Sequence, residues 1–224
     1  MSTGVDLVAF DLDGTLVDSA PDLGHCLGAA LSSLGRAAPS LAETRSWIGG
    51  GIERLLQRAL EHSGAWTESD YANALARFHD CYSDHLFAES RVYPGVGRTL
   101  AALDRAGVAA CCVTNKRQDY AARLLEQAGL ADHFRFVYGG DSFAEKKPHP
   151  RPLIEAARRA ATTPARCALL GDAPQDCSAA AAAGFRFVWA AYGYCASLED
   201  VAEAADYARI ESCDELIGVL GLPC

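Results

Sequence analysis

Apolar and polar positions alternate between two rhythms along the chain. Val5 to Phe10 is a short apolar run with β-branched content and predicts a buried strand that ends at Asp11. From about Pro21 to Leu34 the pattern turns helical, with Leu23, Leu27, Leu31 and Leu34 on one stripe. Leu41 to Leu60 predicts a helix pair broken at Gly49-Gly50-Gly51. Glu68 to Phe87 predicts another helix, with Tyr71, Leu75, Phe78 and Tyr82 on its apolar face. After Tyr93-Pro94-Gly95, helix and strand alternate. Helices are expected at Val96–Ala106, Asp119–Ala128, Pro152–Ala161, Cys177–Ala183 and Asp214–Leu220. Strands are expected at Val108–Val113, Phe134–Tyr138, Cys167–Leu170, Phe185–Ala190 and Tyr207–Ile210. Gly107 and Gly129 stand where helix C-caps belong.

Such alternation predicts an α/β fold, a Rossmann-like parallel sheet with helices on both faces. The purely helical stretch falls between the first strand and the rest, so it reads as an insert. The expected division is 1–16 with 89–224 as the core, and 17–88 as a helical domain of its own.

Composition narrows the partners. The 224 residues suffice for a well-buried core, and a formal net charge of −9 opposes a nucleic-acid partner, which needs basic patches. No apolar run approaches the roughly 20 residues of a membrane helix. The N-terminus has no basic region leading into an apolar run, so a cytoplasmic location is expected. Nine cysteines, none spaced C-x-x-C, read as reduced and mostly buried thiols, and no Cys/His clustering suggests zinc.

In an open parallel sheet, ligands bind at the carboxyl ends of the strands. There the sequence places Asp11 and Asp13 after the first strand, and Thr114, Asn115 and Lys116 after Val113. Lys146 and Lys147 precede Pro148, and Asp172 and Asp176 follow Leu170. Taken singly, each is an ordinary loop residue, and Asp176 also suits a helix N-terminus. Four strand ends carrying such groups are harder to assign to chance. Carboxylates about 4 Å apart repel by roughly 4 kcal/mol at an effective dielectric near 20. A hard divalent cation with oxygen ligands relieves this, and magnesium suits a few carboxylates with phosphate and water. Aspartate is ordinarily ionised at neutral pH, so Asp11 can attack phosphorus. Asp13 can donate a proton to the departing alkoxide and later accept one from water. Lysine and hydroxyl groups can hold the phosphoryl oxygens.

The segment FDLDGTLVDS, Phe10 to Ser19, resembles the first motif of the haloacid dehalogenase superfamily. Thr114-Asn115, Lys147-Pro148 and Gly171-Asp172 with Asp176 match the other three motifs in order. The resemblance implies a phosphatase with Asp11 as nucleophile, Asp13 as acid/base, and Thr114 and Lys147 as phosphate ligands. It implies Mg2+ held by Asp11, the Asp13 main-chain carbonyl and Asp172, with Asp176 in support. The helical insert is similar to the C1-type cap of that superfamily.

Within it, DSAPDL (18–23), SWIGGGIERLLQRAL (46–60), YPGV (93–96) and VTNK (113–116) are most similar to the phosphoglycolate phosphatases. Ala173 stands where serine is usual, and His149 where an acidic residue is common. Gly49, Gly50 and Gly51 read either as a hinge between helices or as bare backbone N–H groups that approach a substrate carboxylate, with Arg54 or Arg45 nearby, and Asn115 is a further candidate for substrate contact. The expected partner is a small phosphorylated metabolite, met by a monomer or homodimer.

Other substrates share this core: a sugar phosphate such as N-acetylmuramic acid 6-phosphate, a nucleotide, or pyrophosphate. Asp13 argues against a dehalogenase, and the absence of lysine from 17–90 argues against a phosphonate hydrolase. A phospho-acceptor receiver module would carry its acidic pair before a later acceptor strand and would lack the insert. Neither GxGxxG nor GxxxxGK[ST] occurs, so a nucleotide-binding loop has no support.

Overall fold

The structure is a computed structural model that describes residues 4–198 and 207–222. The elements, in chain order, are β1 (Leu7–Phe10), β2 (Val17–Asp18), α1 (Ala20–Ser32), α2 (Leu41–Trp47), α3 (Ile52–Ser63), α4 (Glu68–Asp84) and β3 (Arg91–Val92). There follow α5 (Val96–Ala106), β4 (Ala109–Val113), α6 (Gln118–Gln127), β5 (Val137–Tyr138), α7 (Arg151–Arg159), β6 (Cys167–Gly171), α8 (Pro174–Ala183), β7 (Arg186–Ala190), β8 (Tyr207–Ile210) and α9 (Glu215–Val219).

Six strands form one sheet in the order β5-β4-β1-β6-β7-β8, and each strand runs parallel to its neighbours. Successive residues of β1 feed opposite faces, as strand geometry requires. Val8 and Phe10 join the cluster that includes α5 and α6, and Leu7 and Ala9 join the one that includes α7 and α8. The all-alanine end of α8 suits its place, because a helix buried against strands β6 and β7 needs small side chains.

Between β2 and β3 lie four helices whose buried residues, among them Leu27, Leu56 and Phe78, belong to the same cluster as one face of the sheet. Capping boxes start α2 at Ser40 with Glu43 and α4 at Thr67 with Asp70. Gly107 closes α5 in the left-handed region, as its position in the sequence predicts.

Three features differ from the sequence reading. First, β2 and β3 pair antiparallel, Val17 with Val92 and Asp18 with Arg91, so the chain enters and leaves the helical segment as a two-stranded ribbon. Two-residue strands carry no periodicity to read. Second, the expected strand at Phe134–Tyr138 shortens to Val137–Tyr138, although the Arg135 N–H still donates to the Ala110 carbonyl and the Phe136 carbonyl accepts from the Cys112 N–H. Third, not all cysteines are free thiols: Cys26 of α1 and Cys81 of α4 form a disulfide across Cα atoms 5.5 Å apart. A sequence separation of 55 carries no sign of it, since only the packing of the two helices brings them together. Cys111, Cys112, Cys167, Cys177 and Cys213 are buried free thiols, as expected; Cys224 lies outside the described residues. No described helix is long and apolar enough to cross a membrane.

Candidate active site

β1 lies between β4 and β6, and the connections from its two sides diverge there. The crevice beyond its carboxyl end is the switch point where open α/β sheets bind ligands. Asp11 leaves β1 directly into this crevice, 6 % exposed, with its backbone N–H donating to the Leu170 carbonyl of β6. Lys147, from the loop before α7, places Nζ 2.9 Å from Asp11 Oδ1 and 2.6 Å from Asp176 Oδ1. The peptide that joins it to Pro148 is cis. Asp176, in the first turn of α8, also accepts the Ala173 N–H at 3.1 Å, so its helix-start role and its place in the cluster coexist.

Asp172, one residue beyond β6, accepts from the Thr15 hydroxyl at 3.1 Å and from the Tyr194 N–H at 2.8 Å. Gly14 makes this approach possible. It has φ +83°, and a Cβ there would meet Asp172 Oδ2 at 2.4 Å.

Asp11, Asp172 and Asp176 are all buried, and one carboxylate oxygen from each lies within 4.8 Å of the others. Burial, and then the neighbouring Asp11, push the Asp172 carboxyl far above the usual range, and the same two causes raise Asp176 against the pull of Lys147. For Lys147, burial alone would lower the pKa, but Asp11 and Asp176 outweigh it and hold the ammonium firmly charged. Lys147 thus pairs with two of the three buried carboxylates, while Asp172 takes the Thr15 hydroxyl and the Tyr194 N–H instead. That excess of negative charge, on oxygen donors alone, fits a hard divalent cation.

Asp13 sits apart from this cluster. It accepts from Ser19 Oγ at 2.5 Å and from Lys116 Nζ at 2.9 and 3.1 Å. Lys116 is itself buried, with the Tyr82 ring 4.9 Å from its Nζ. Burial disfavours its charge, but Asp13 and Tyr82 more than restore it. The sequence marks Lys116 as a strand-end residue without a role, because nothing in the spacing shows which way it turns.

Thr114 ends β4 beside the same crevice, its hydroxyl accepting from the Lys116 N–H at 3.2 Å. Asn115 gives its side-chain N–H groups to the carbonyls of Gly49 and Lys147, both at 2.9 Å. It therefore ties the helical segment to the sheet, and its donors are not free for a ligand.

Asp11, Asp13, Thr114, Asn115 and Lys116 line an inner cavity of about 30 Å³, closed from the helical side by Leu23, Ile48, Gly49, Gly51, Ile52 and Leu55. The N-terminus of α3 borders it, and a helix N-terminus attracts anions. Gly51 is part of that lining, and Gly50 beside it turns its carbonyl to Lys146, accepting at 2.8 Å. A wider cleft of about 560 Å³ adjoins, with Arg45, Arg58, Gln175 and Tyr194 in its walls.

Arg54 is in neither. Its guanidinium bonds Gln57 Oε1 at 3.1 Å and lines a separate groove with Trp66 and Tyr71. Residues 51 and 54 project differently from the start of α3, and it is Arg45 from α2 that reaches the cleft. Tyr194 has no signal in the sequence. Its hydroxyl accepts from the N–H groups of Ser19 and Ala20 and donates to Asp18 Oδ1 at 2.9 Å, fixing the chain just past β2.

The profile of the haloacid dehalogenase-like hydrolases matches residues 8–190. The chain belongs to that family. It is 40% identical over 191 residues to a phosphoglycolate phosphatase of Nitrosococcus oceani, covering 84% of this chain and 85% of that one. It is also 40% identical over 222 residues to phosphoglycolate phosphatase 1 of Pseudomonas aeruginosa, covering 97% and 79%. The crystal structure of a predicted phosphoglycolate phosphatase from Haemophilus somnus superposes with a TM-score of 0.91 at 31% identity, covering 97% and 98% of the two chains. A β-phosphoglucomutase from Clostridium difficile shares the fold, with a TM-score of 0.73 at 18% identity over 95% of this chain and 93% of that one. The protein is thus a hydrolase of that family, and the Nitrosococcus oceani and Pseudomonas aeruginosa relatives, at 40% identity, are named as phosphatases.

Proposed function

We propose that this hydrolase cleaves 2-phosphoglycolate to glycolate and phosphate, with Mg2+ as cofactor and a phosphoaspartate on Asp11 as intermediate. The observation that carries the chemistry is the buried trio Asp11, Asp172 and Asp176, two of them paired with Lys147, at the switch point of the sheet. The names of the relatives support the substrate.

The steps follow from the placement of each group. Asp11 attacks phosphorus through the oxygen that Lys147 leaves unpaired, and the Lys147 ammonium and Thr114 hydroxyl hold the phosphoryl oxygens. Asp13 lies outside the carboxylate trio, held by Ser19 and Lys116, and in this reading it is the proton carrier. It protonates the leaving glycolate oxygen and then takes a proton from the water that opens the acyl phosphate. Asp11, Asp172 and the Asp13 carbonyl would hold the Mg2+, with Asp176 in support. When bound, the ion would neutralise charge on the phosphoryl group.

Residues 17–88 act in this reading as a cap that closes on the substrate and excludes water. Gly49, Gly51 and the start of α3 are its surface toward the phosphate ester, and β2 with β3 is its hinge. Arg45, at the adjoining cleft, meets the substrate carboxylate.

The test is phosphate release in Mg2+ from a panel of 2-phosphoglycolate, sugar phosphates, nucleoside monophosphates and pyrophosphate, with Asp11→Asn alongside. Preference for 2-phosphoglycolate that vanishes in the variant is the expected result. Preference for another ester would remove the substrate assignment and keep the chemistry. Turnover unchanged in Asp11→Asn would remove both.

A further inference from the structure

Away from the crevice, α1 and α4 bring together two histidines and a cysteine. One ligand-capable atom from each of His25, Cys81 and His85 lies within 4.8 Å of the other two. No local pattern in the chain hints at this, since residue 25 is remote from 81 and 85. We propose that His25, Cys81 and His85 form a site for a borderline divalent transition-metal ion of the zinc class, open when the Cys26–Cys81 disulfide is reduced and closed when it forms.

The donor set suits such an ion: thiolate and imidazole favour zinc over magnesium or calcium. Three protein ligands leave a fourth position for water or for the freed Cys26 thiolate.

Three details of the surroundings support it. Cys81 and His85 are four residues apart at the end of α4, the spacing that stacks two side chains on one helix face. A helix C-terminus carries partial negative charge and favours a cation. His85 Nδ1 lies 3.3 Å from the Cys81 carbonyl oxygen. A carbonyl can only accept, so Nδ1 carries the hydrogen, and in the neutral ring Nε2 is then the lone-pair nitrogen, which is how metal-binding histidines are commonly oriented. The His25 ring stacks on that of His85 with centroids 4.6 Å apart, so His25 must turn out of the stack before both in-plane lone pairs can meet one ion.

Ligands around zinc lie roughly 3.5 Å from one another, given bonds of about 2.0 to 2.3 Å. The set therefore needs to contract by about 1 Å, which the exposed His25 side chain can supply by rotation.

The disulfide decides whether the site exists. A sulfur bonded to sulfur is not a thiolate, and the thiolate is the ligand. Two equivalents of a small thiol reduce the bridge, giving the Cys26 and Cys81 thiols and one disulfide of the reductant. Cys81 then binds the metal as its sulfur loses a proton to solvent. Either way α1 and α4 stay joined, by a covalent bond in one state and by a metal in the other. The link lies within the helical segment, away from the catalytic carboxylates.

The test uses Co2+ as a spectroscopic stand-in for Zn2+ on the full chain, because a thiolate ligand adds a sulfur-to-cobalt charge-transfer band. The carboxylate trio cannot produce that band. The expected result is one equivalent of Co2+ with the band in reduced protein, reversed by Zn2+, and no band in oxidised protein. Cys26→Ser leaves Cys81 permanently free and should show the band without any reductant. His25→Ala, at an exposed position, should keep the fold by circular dichroism and weaken Co2+ binding by at least the roughly tenfold that losing a mere supporting partner costs. Absence of the band from both reduced protein and Cys26→Ser would overturn the proposal. So would a band equally strong in oxidised protein, or one that survives unchanged in both His25→Ala and His85→Ala.

Discussion

Lys116 and Asp13 form an ion pair, Nζ to Oδ1 at 2.9 Å, whose lysine side chain is 2% exposed. The turn after β4 carries Lys116 over to the loop that follows β1. There it is the counter-ion of the proposed proton carrier, while Lys147 serves the proposed nucleophile. The two lysines thus divide the acidic groups between them. Lys116→Met should leave Asp13 facing only Ser19 and free to leave its position. Turnover is expected to fall by about tenfold to a hundredfold, the range for one charge-assisted hydrogen bond, with KM little changed. Steady-state kinetics on the preferred ester checks this. An unaltered kcat would mean that Asp13 does not depend on Lys116 for its place.

Much of this site is legible in the amino-acid pattern. Asp11, Thr114, Lys147 and Asp172 follow separate strands, and a parallel sheet carries all strand ends of one kind to one edge. Pattern alone therefore predicts their meeting. What it cannot supply is direction. Lys116 and Lys147 are both lysines beside the crevice, and only the folded loops show which carboxylate each one meets. Arg54 and Arg45 stand as equal candidates in the sequence, because helical periodicity does not tell which faces of α2 and α3 turn toward the sheet. Tyr194 follows β7 in a loop with no periodicity. Cys26 and Cys81 are joined by helix packing, which local pattern does not encode.

The segment DSAPDL is legible as a family signature, and the fold gives Asp22 within it a mechanical reason. Buried in the first turn of α1, its carboxylate accepts the backbone N–H of Glu89 at 3.0 Å, that of Ser90 at 2.8 Å and the Ser90 hydroxyl at 2.5 Å. It therefore clamps the returning chain just before β3. Asp22→Ala would strand the donors of the fully buried Ser90. The expected cost is on the order of 3 kcal/mol, read as a shift of the urea midpoint at constant m. Asp22→Asn, which keeps one acceptor oxygen, should lose less. Equal midpoints for wild type and Asp22→Ala would show that water replaces the carboxylate without loss.

At the other end of β1, Asp6 accepts from the Arg166 guanidinium and, at 2.7 Å, from the Thr162 hydroxyl. Arg166 first, then Thr162, lowers its pKa to about 2. A carboxyl whose folded pKa lies below its unfolded value of about 3.9 adds stability that is complete above that value. The contribution fades as pH falls toward the folded pKa. Asp6→Asn should therefore be less stable than wild type near neutral pH, and the gap between the two should close between about pH 4 and 2. Thermal midpoints of both proteins across that window check the sign. A gap that stays constant, or widens on acidification, would remove Asp6 as its source.

Arg45 and Arg54 offer a sharper test of how the helical segment meets a substrate. Arg45 lines the cleft beside Asp11 and Asp13, where it also pairs with Asp18 Oδ2 at 2.7 Å. Arg54 faces a different groove, where its guanidinium bonds its helix neighbour Gln57. If Arg45 receives the carboxylate of the ester, Arg45→Ala should raise KM about tenfold, the loss of one charge-assisted bond, with a smaller change in kcat. Arg54→Ala should leave both constants within about twofold, as for an exposed side chain remote from the reaction. A phosphate ester without a second acidic group should not distinguish wild type from Arg45→Ala, because it has nothing for that guanidinium to hold. The opposite ranking, with Arg54→Ala the damaging change, would require the helical segment to turn its α3 face toward the sheet during turnover. It would place the substrate under a surface that this structure turns outward.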